Sequence, residues 1–144
     1  MEIIQATTKS QREAAYQLRY EVFVEEQNVP VELERDEHDE TDAVHFIAIQ
    51  ADNVVGTARI IRKGTAAKVQ RVAVAKSHRG TGLGRSLMRH LMEFAPSMEG
   101  IDAIVLGAQI DALPFYEKLG FVAEGDVFDD AGIPHRTMRY ALES

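Results

Sequence analysis

The segment Val72-Ala73-Val74-Ala75-Lys76-Ser77-His78-Arg79-Gly80-Thr81-Gly82-Leu83-Gly84-Arg85 constrains this chain most. It reads as a strand, a turn with three glycines, then the start of a helix. Glycine lets the backbone turn tightly and lets a ligand approach it closely. The first turn of the following helix offers unpaired N–H groups and a favourable dipole to phosphate oxygens. Arg79 and Arg85 add charge suited to fork-like phosphate contacts. Two common nucleotide loops are excluded. A P-loop needs lysine after its last glycine, where Arg85 stands, and a dinucleotide fingerprint needs glycine where Leu87 stands. The pattern predicts a diphosphate cradle made by Arg79, Gly80, Thr81, Gly82, Leu83, Gly84 and Arg85.

The flanking sequence predicts an alternation of strands and helices. Glu2 to Thr7 reads as a short strand. Ser10-Gln11-Arg12-Glu13 has the form of a capping box, and Ala15, Leu18 and Val22 mark one face of a helix ending near Glu26. Residues 43–50, 54–61 and 67–75 read as three strands. Leu83, Leu87, Leu91 and Ala95 repeat every four residues, widened by Met88 and Met92, and Pro96 stops that helix. Met98 also reads as packing rather than as a metal or partner motif. Residues 101–108 are an apolar run suited to a central strand. Asp111 is the expected cap of a short helix, and Gly120 its C-terminal stop. Two strands close the chain around Asp129-Asp130-Ala131-Gly132. The order implies an α/β sandwich with a mixed, mostly antiparallel sheet.

A length of 144 residues suits one domain. The apolar fraction of 45% is enough for a packed core. There is no cysteine, which excludes disulfides and thiolate chemistry. That composition suits the cytoplasm, and the N-terminus lacks a basic, apolar leader pattern. No run approaches the roughly 18 apolar residues of a membrane span. The net charge of −7 argues against nucleic acid as partner. Most of it lies in Glu32 to Asp42, where seven acids face only Arg35. This stretch reads either as a solvated loop or as a surface that attracts a cationic amine. Asp36, His38 and Asp39 raise the question of a metal, but the glycine and spacing of a calcium loop are absent, and no metal is expected.

A second constellation is Gln109-Ile110-Asp111-Ala112-Leu113-Pro114-Phe115-Tyr116-Glu117-Lys118-Leu119-Gly120-Phe121. Together with Arg79-x-x-Gly82-x-Gly84 it resembles the GNAT N-acetyltransferase superfamily. Ala112, Phe115, Tyr116, Gly120 and Phe121 match that signature, and Gln109 stands where many relatives carry asparagine. Leu18 to Pro30, Glu34, Asp36, Asp39, Ser77-His78-Arg79 and Ala131-Gly132-Ile133-Pro134-His135 extend the resemblance to the YjcF/ElaA-like subgroup over nearly the whole chain.

The resemblance implies acetyl-CoA as co-substrate. It implies a cofactor strand at Val72, Ala73 and Val74 that splays from its neighbour and pairs with the pantetheine arm. One of its N–H groups would stabilise the oxyanion. It sets Gln109, Phe115 and Tyr116 beside the cofactor, with the Tyr116 phenol as the acid that protonates the departing thiolate. The expected acceptor is a small-molecule primary amine, and a homodimer is also allowed. The base is open among Glu26, His45, His135 and a water chain. Arg19 is a candidate for an acidic group on the acceptor, for a pair with Glu26, or for covering apolar surface. His78 reads as phosphate-side or solvent-facing. A non-catalytic acyl-CoA sensor is the rival from another class.

Overall fold

The structure, a computed structural model, describes residues 1–142. Seven strands form one sheet: β1 Glu2–Gln5, β2 Val44–Gln50, β3 Asn53–Lys63, β4 Ala66–Val74, β5 Ala103–Gln109, β6 Val122–Asp130 and β7 Ile133–Ala141. Their spatial order is β1-β2-β3-β4-β5-β7-β6. All neighbours are antiparallel except β4 and β5. The helices are α1 Lys9–Arg19, α2 Val31–Glu34, α3 His38–Thr41, α4 Leu83–Phe94 and α5 Leu113–Lys118. This is the expected mixed sheet flanked by helices. None of these helices is long and apolar enough to cross a membrane.

Helix α1 starts earlier than the Ser10 pattern predicts. Thr8 is the cap: its hydroxyl accepts the Gln11 N–H at 3.1 Å. The Gln11 side chain returns to the N–H groups of Thr8 (3.1 Å) and Thr7 (2.8 Å), so this register satisfies three donors. The helix then runs on as a π-helix over Tyr20–Glu26, ending where the sequence places it.

One face of the sheet carries α4 and α5. Leu87, Met88 and Leu91 of α4 are fully buried against Phe46, Ile60, Ile104 and Met138. Asp111 does not cap α5; a 3₁₀ turn over Ile110–Ala112 precedes it, and Ala112 stands at the cap without a side-chain bond. Gly120 does end it. The Phe121 N–H reaches the Tyr116 carbonyl at 3.1 Å while Gly120 sits at φ 102°, and a Cβ there would lie 3.0 Å from the Tyr140 ring.

The other face is covered by α1 over β2, β3 and β4, and by the π-helix over β4. Beneath it the acidic stretch folds into α2 and α3 and is drawn inward. Arg19 donates to Glu34 at 2.8 Å and to Asp39 at 2.7 Å. Arg59 forks onto Asp36 with two 2.7 Å bonds and reaches Asp39 at 2.8 Å. Arg71 pairs with Glu34 at 3.2 Å and donates to the Leu33 and Glu34 carbonyls. Three arginines thus neutralise three carboxylates, and no buried side-chain polar atom among the described residues lacks a partner. So this stretch is neither a solvated loop nor an amine-attracting surface at Glu34, Asp36 and Asp39; these acids are consumed internally. Arg19 pairs with them rather than with Glu26. His38 turns outward to Asp42 at 2.8 Å.

Asp39 is the hub, and two arginine guanidiniums hold its carboxyl far below the usual range against the cost of burial. Removing one partner of a buried ion cluster costs about 3–5 kcal/mol, because the remaining charges stay buried. Asp39→Ala is therefore expected to lower unfolding free energy by about that amount in urea titrations. The pH dependence follows the same groups. His45, pushed down mainly by burial, costs stability as pH falls through its unfolded value of about 6.5. Asp39 and Asp36, both depressed in the fold, contribute stability that is complete above their unfolded value of about 3.9 and is lost below it. Denaturation midpoints should decline gently below about pH 6.5 and steeply below about pH 4.

Candidate active site

Strand β4 is bent by a bulge. Thr57 pairs with Ala73 and Arg59 with Gln70, so Arg71 and Val72 together face only Ala58. Arg71 lies at φ 57°, a conformation that costs a non-glycine residue about 1–2 kcal/mol. Its bonds to Leu33 and Glu34 hold it there. Beyond the bulge β4 leaves β5: the parallel ladder ends at Val69 opposite Leu106, although β4 runs to Val74 and β5 to Gln109. Val72, Ala73 and Val74 therefore have their β5-side backbone groups open. A bulge raises local twist and terminates pairing in this way.

The gap widens into a cleft of about 760 Å³ floored by β4, β5 and β7. Gln27, Val72, Gln109, Phe128, Tyr116 and His135 are among the side chains along it. The Gln109 amide donates to the Gln27 Oε1 at 3.0 Å, linking the end of β5 to the end of the π-helix. The Tyr116 hydroxyl has no protein partner among the described residues. Its ring packs edge-on to Phe115 at 4.9 Å, and burial pushes its pKa up to about 12. The phenol thus stays protonated through neutral pH.

His135 stacks on Phe128 with ring centroids 5.8 Å apart. Its Nδ1 lies 2.7 Å from the Ile133 carbonyl, which only accepts, so Nδ1 carries the proton and Nε2 keeps its lone pair. Nε2 has no protein partner and is not among the fully buried atoms, which leaves it open to the cleft. His45 lies elsewhere: it is buried beneath α1, 3.0 Å from the Asp39 carbonyl and edge-on to Tyr16.

The glycine turn sits just past the end of β4. Gly80 (φ 77°) and Gly82 (φ 89°) are left-handed, and a Cβ at either would meet nothing within 4 Å. Gly82 caps α4 without any side-chain bond, so the first N–H groups of that helix, from Leu83, Gly84 and Arg85, face open space. Leu83 itself is buried and anchors the turn. Gly84 lies under the Phe115 ring, 3.5 Å from where a Cβ would stand, and this contact ties α5 to the start of α4. The Thr81 hydroxyl donates to the His78 carbonyl, and His78 reaches Gln50 at 2.6 Å.

Arg79 grips Glu26 with two bonds of 2.7 and 2.9 Å and donates from Nε to the Val74 carbonyl at 3.1 Å. Glu26, whose carboxyl this pairing holds below its usual range, therefore stands beside the glycine turn and not along the cleft with Tyr116. The structure thus gathers Val72, Gln109, Tyr116 and His135 along one cleft, with the glycine turn just past the end of β4 and Phe115 packed between Gly84 and Tyr116. Gln27 and Arg71 belong to the cleft too, and neither carries a local sequence signal. The first acts across 82 residues of chain, and the second occupies a backbone region that only glycine advertises. Asp36 and Asp39 are saturated by arginines, and no group of three or more candidate ligands for a metal occurs among the described residues.

Comparison with known proteins agrees with this geometry. The family model described as the acetyltransferase (GNAT) domain matches residues 5–142. The uncharacterized N-acetyltransferase YjcF of Bacillus subtilis is 40% identical over 96% of this chain and 98% of its own length. The crystal structure of Escherichia coli ElaA superposes with a TM-score of 0.88 at 32% identity, covering 96% of this chain and 99% of that one. An acyl-CoA N-acyltransferase from Pseudomonas aeruginosa does so with a TM-score of 0.85 at 30% identity, covering 96% of each chain. By sequence and by fold alike, the chain belongs to the GNAT family and is an N-acetyltransferase of the YjcF and ElaA type.

Proposed function

We propose that this enzyme transfers the acetyl group of acetyl-CoA directly to a primary amine of a small molecule, with both substrates bound together. One observation carries the reading. The splayed end of β4 and the unpartnered Tyr116 hydroxyl share one cleft, and the open glycine cradle follows directly on that strand, tied to the Tyr116 helix through Gly84 and Phe115. The absence of cysteine removes the usual carrier of a covalent acetyl intermediate, which favours direct transfer.

Each group has a role that its surroundings support. The N–H groups of Leu83, Gly84 and Arg85 would hold the diphosphate, with Arg85 adding charge. Arg79 uses three of its five N–H donors on Glu26 and Val74, leaving two for phosphate oxygens. The backbone groups of Val72, Ala73 and Val74 left open by β3, apart from the Val74 carbonyl that Arg79 takes, would pair with the pantetheine arm, and one N–H there would stabilise the oxyanion. Of the candidate bases, His135 is the one with a lone pair open to the cleft, whereas Glu26 serves by holding Arg79. His135 Nε2 takes the proton of the acceptor ammonium, directly or through water. The amine nitrogen forms its bond to the acetyl carbon, the carbon–sulfur bond breaks, Tyr116 gives its proton to the leaving sulfur, and the surplus proton on the amide nitrogen returns through water to the Tyr116 phenolate. The same water-poor setting that raises the phenol's pKa also raises the basicity of the thiolate formed beside it.

The first test is thiol release from acetyl-CoA against a pool of amines, with an acetylated product confirmed by mass spectrometry. Release without such a product, or none from protein that binds acetyl-CoA in calorimetry, would count against amine transfer. Tyr116→Phe is expected to lower kcat by about 10²–10⁴ while leaving acetyl-CoA affinity unchanged, as read by single turnover and calorimetry. Gly82→Ala should strain the left-handed turn by about 1–2 kcal/mol and weaken acetyl-CoA binding by up to about tenfold. His135→Asn should lower kcat by about 10²–10⁴ with acetyl-CoA affinity unchanged; an undiminished kcat would assign the base elsewhere.

A further inference from the structure

We infer that the acceptor amine carries an anionic group, a carboxylate or a phosphate, and that Lys68 on the cleft floor, with Arg139 beside it, binds that group. The inference rests on the acetyl-transfer reading and names its acceptor class.

The cleft reverses the charge of the chain. The protein as a whole is −7, yet the cleft is lined by four cations, Lys63, Lys68, Arg71 and Arg139, against Glu34 and Asp130. Glu34 is already consumed by Arg19 and Arg71. Arg71 is committed in turn to Glu34 and to loop carbonyls, and Arg139 spends its Nε on Glu124 at 3.2 Å, keeping only its Nη donors. Lys68 differs from these. It is half-buried and forms no ion pair or hydrogen bond among the described residues. Its neighbours Ala67 and Val69 point into the core, so strand alternation turns Lys68 to the cleft. Burial, and then the nearby cations Lys63, Arg59 and Arg71, push its ammonium below the usual lysine range, with only Asp130 pulling the other way. A bound anion would relieve that imbalance.

Register supplies the geometry. Lys68 stands opposite Val105, and Val105 opposite Arg139, so the two cations share one row across β4, β5 and β7. The row holding Gln109 and His135 lies four residues further along. Four residues of strand span about 13 Å, which the flexible stem of Lys68 shortens to on the order of 10 Å. Between the rows Gly107 stands opposite Thr137, and the Phe128 ring lies over Gly107, 3.1 Å from where a Cβ would be, as an apolar surface for the acceptor's chain. An amine at His135 and an anion at Lys68 are therefore spanned by an extended acceptor, and an α-amino acid's own carboxylate falls short.

The probes are ω-aminooctanoate, ω-aminooctyl phosphate, octylamine and octane diamine. Binding to the CoA-saturated protein is followed by amide shifts in NMR, and turnover by kcat/KM. The two anionic probes should exceed octylamine by about tenfold or more, which is about 1.4 kcal/mol or more. The stronger of the two identifies the carboxylate or phosphate source. Lys68→Gln should collapse that ratio, and Lys68→Glu should turn it toward the diamine. Equal or better binding of octylamine or the diamine to the wild-type protein would overturn the inference. So would an anion preference that survives both variants, or no anion-dependent binding by protein that still binds acetyl-CoA. Failure of acetyl-CoA binding itself would instead sink the transfer reading, and calorimetry measures that separately.

Discussion

The cleft depends on a buried ionic cluster. Arg19 from α1, Arg59 from β3 and Arg71 from β4 converge on Glu34, Asp36 and Asp39, which come from a stretch with almost no apolar content. A stretch of that composition has little hydrophobic reason to pack on a sheet. It packs because each carboxylate meets a guanidinium already held by the core, and because the network is complete. A partly satisfied cluster would be worse than none. The cluster also reaches the site: Arg71 can occupy its left-handed bulge because the carbonyls of Leu33 and Glu34 and the Glu34 carboxylate bind its side chain.

From that bulge follows the separation of β4 from β5. An unbroken parallel pair would leave no room between them and would bury the backbone groups of Val72–Val74 in ladder bonds. Breaking the ladder after Val69 exposes those groups at the point where the glycine turn exposes a second set, the N–H groups that open α4. The site is thus made largely of main chain. Side chains enter where main chain cannot serve: a proton donor at Tyr116, a lone pair at His135 and a hydrogen-bonded amide pair at Gln27 and Gln109.

Charge is sorted by depth. Glu34, Asp36 and Asp39 neutralise buried arginines, Glu26 holds Arg79 near the glycine turn, and most of the remaining acids lie exposed away from the cleft. The cleft floor is left with a cationic excess. Net charge alone points toward a cationic acceptor, and the structure points the other way, because more cations than carboxylates line the cleft while most acids lie elsewhere on the surface.

The sequence by itself determined what rests on short-range patterning. The glycine turn, the four-residue stripe of α4, the apolar run of β5 and the left-handed stop at Gly120 are each set by residues within a few positions of one another, so their physics is legible along the chain. The local competition at Thr8 and Ser10 was closer, because two overlapping capping boxes stand there, and the Thr8 box wins with Gln11 satisfying the N–H groups of both Thr7 and Thr8. Tertiary structure alone decided the fate of the acidic stretch, the bulge at Arg71, the bridge from Gln27 to Gln109 and the partner of Glu26. Each joins groups tens of residues apart, and its energy depends on which charges are buried together. Charge written in sequence is a sum, and burial decides which of its members cancel.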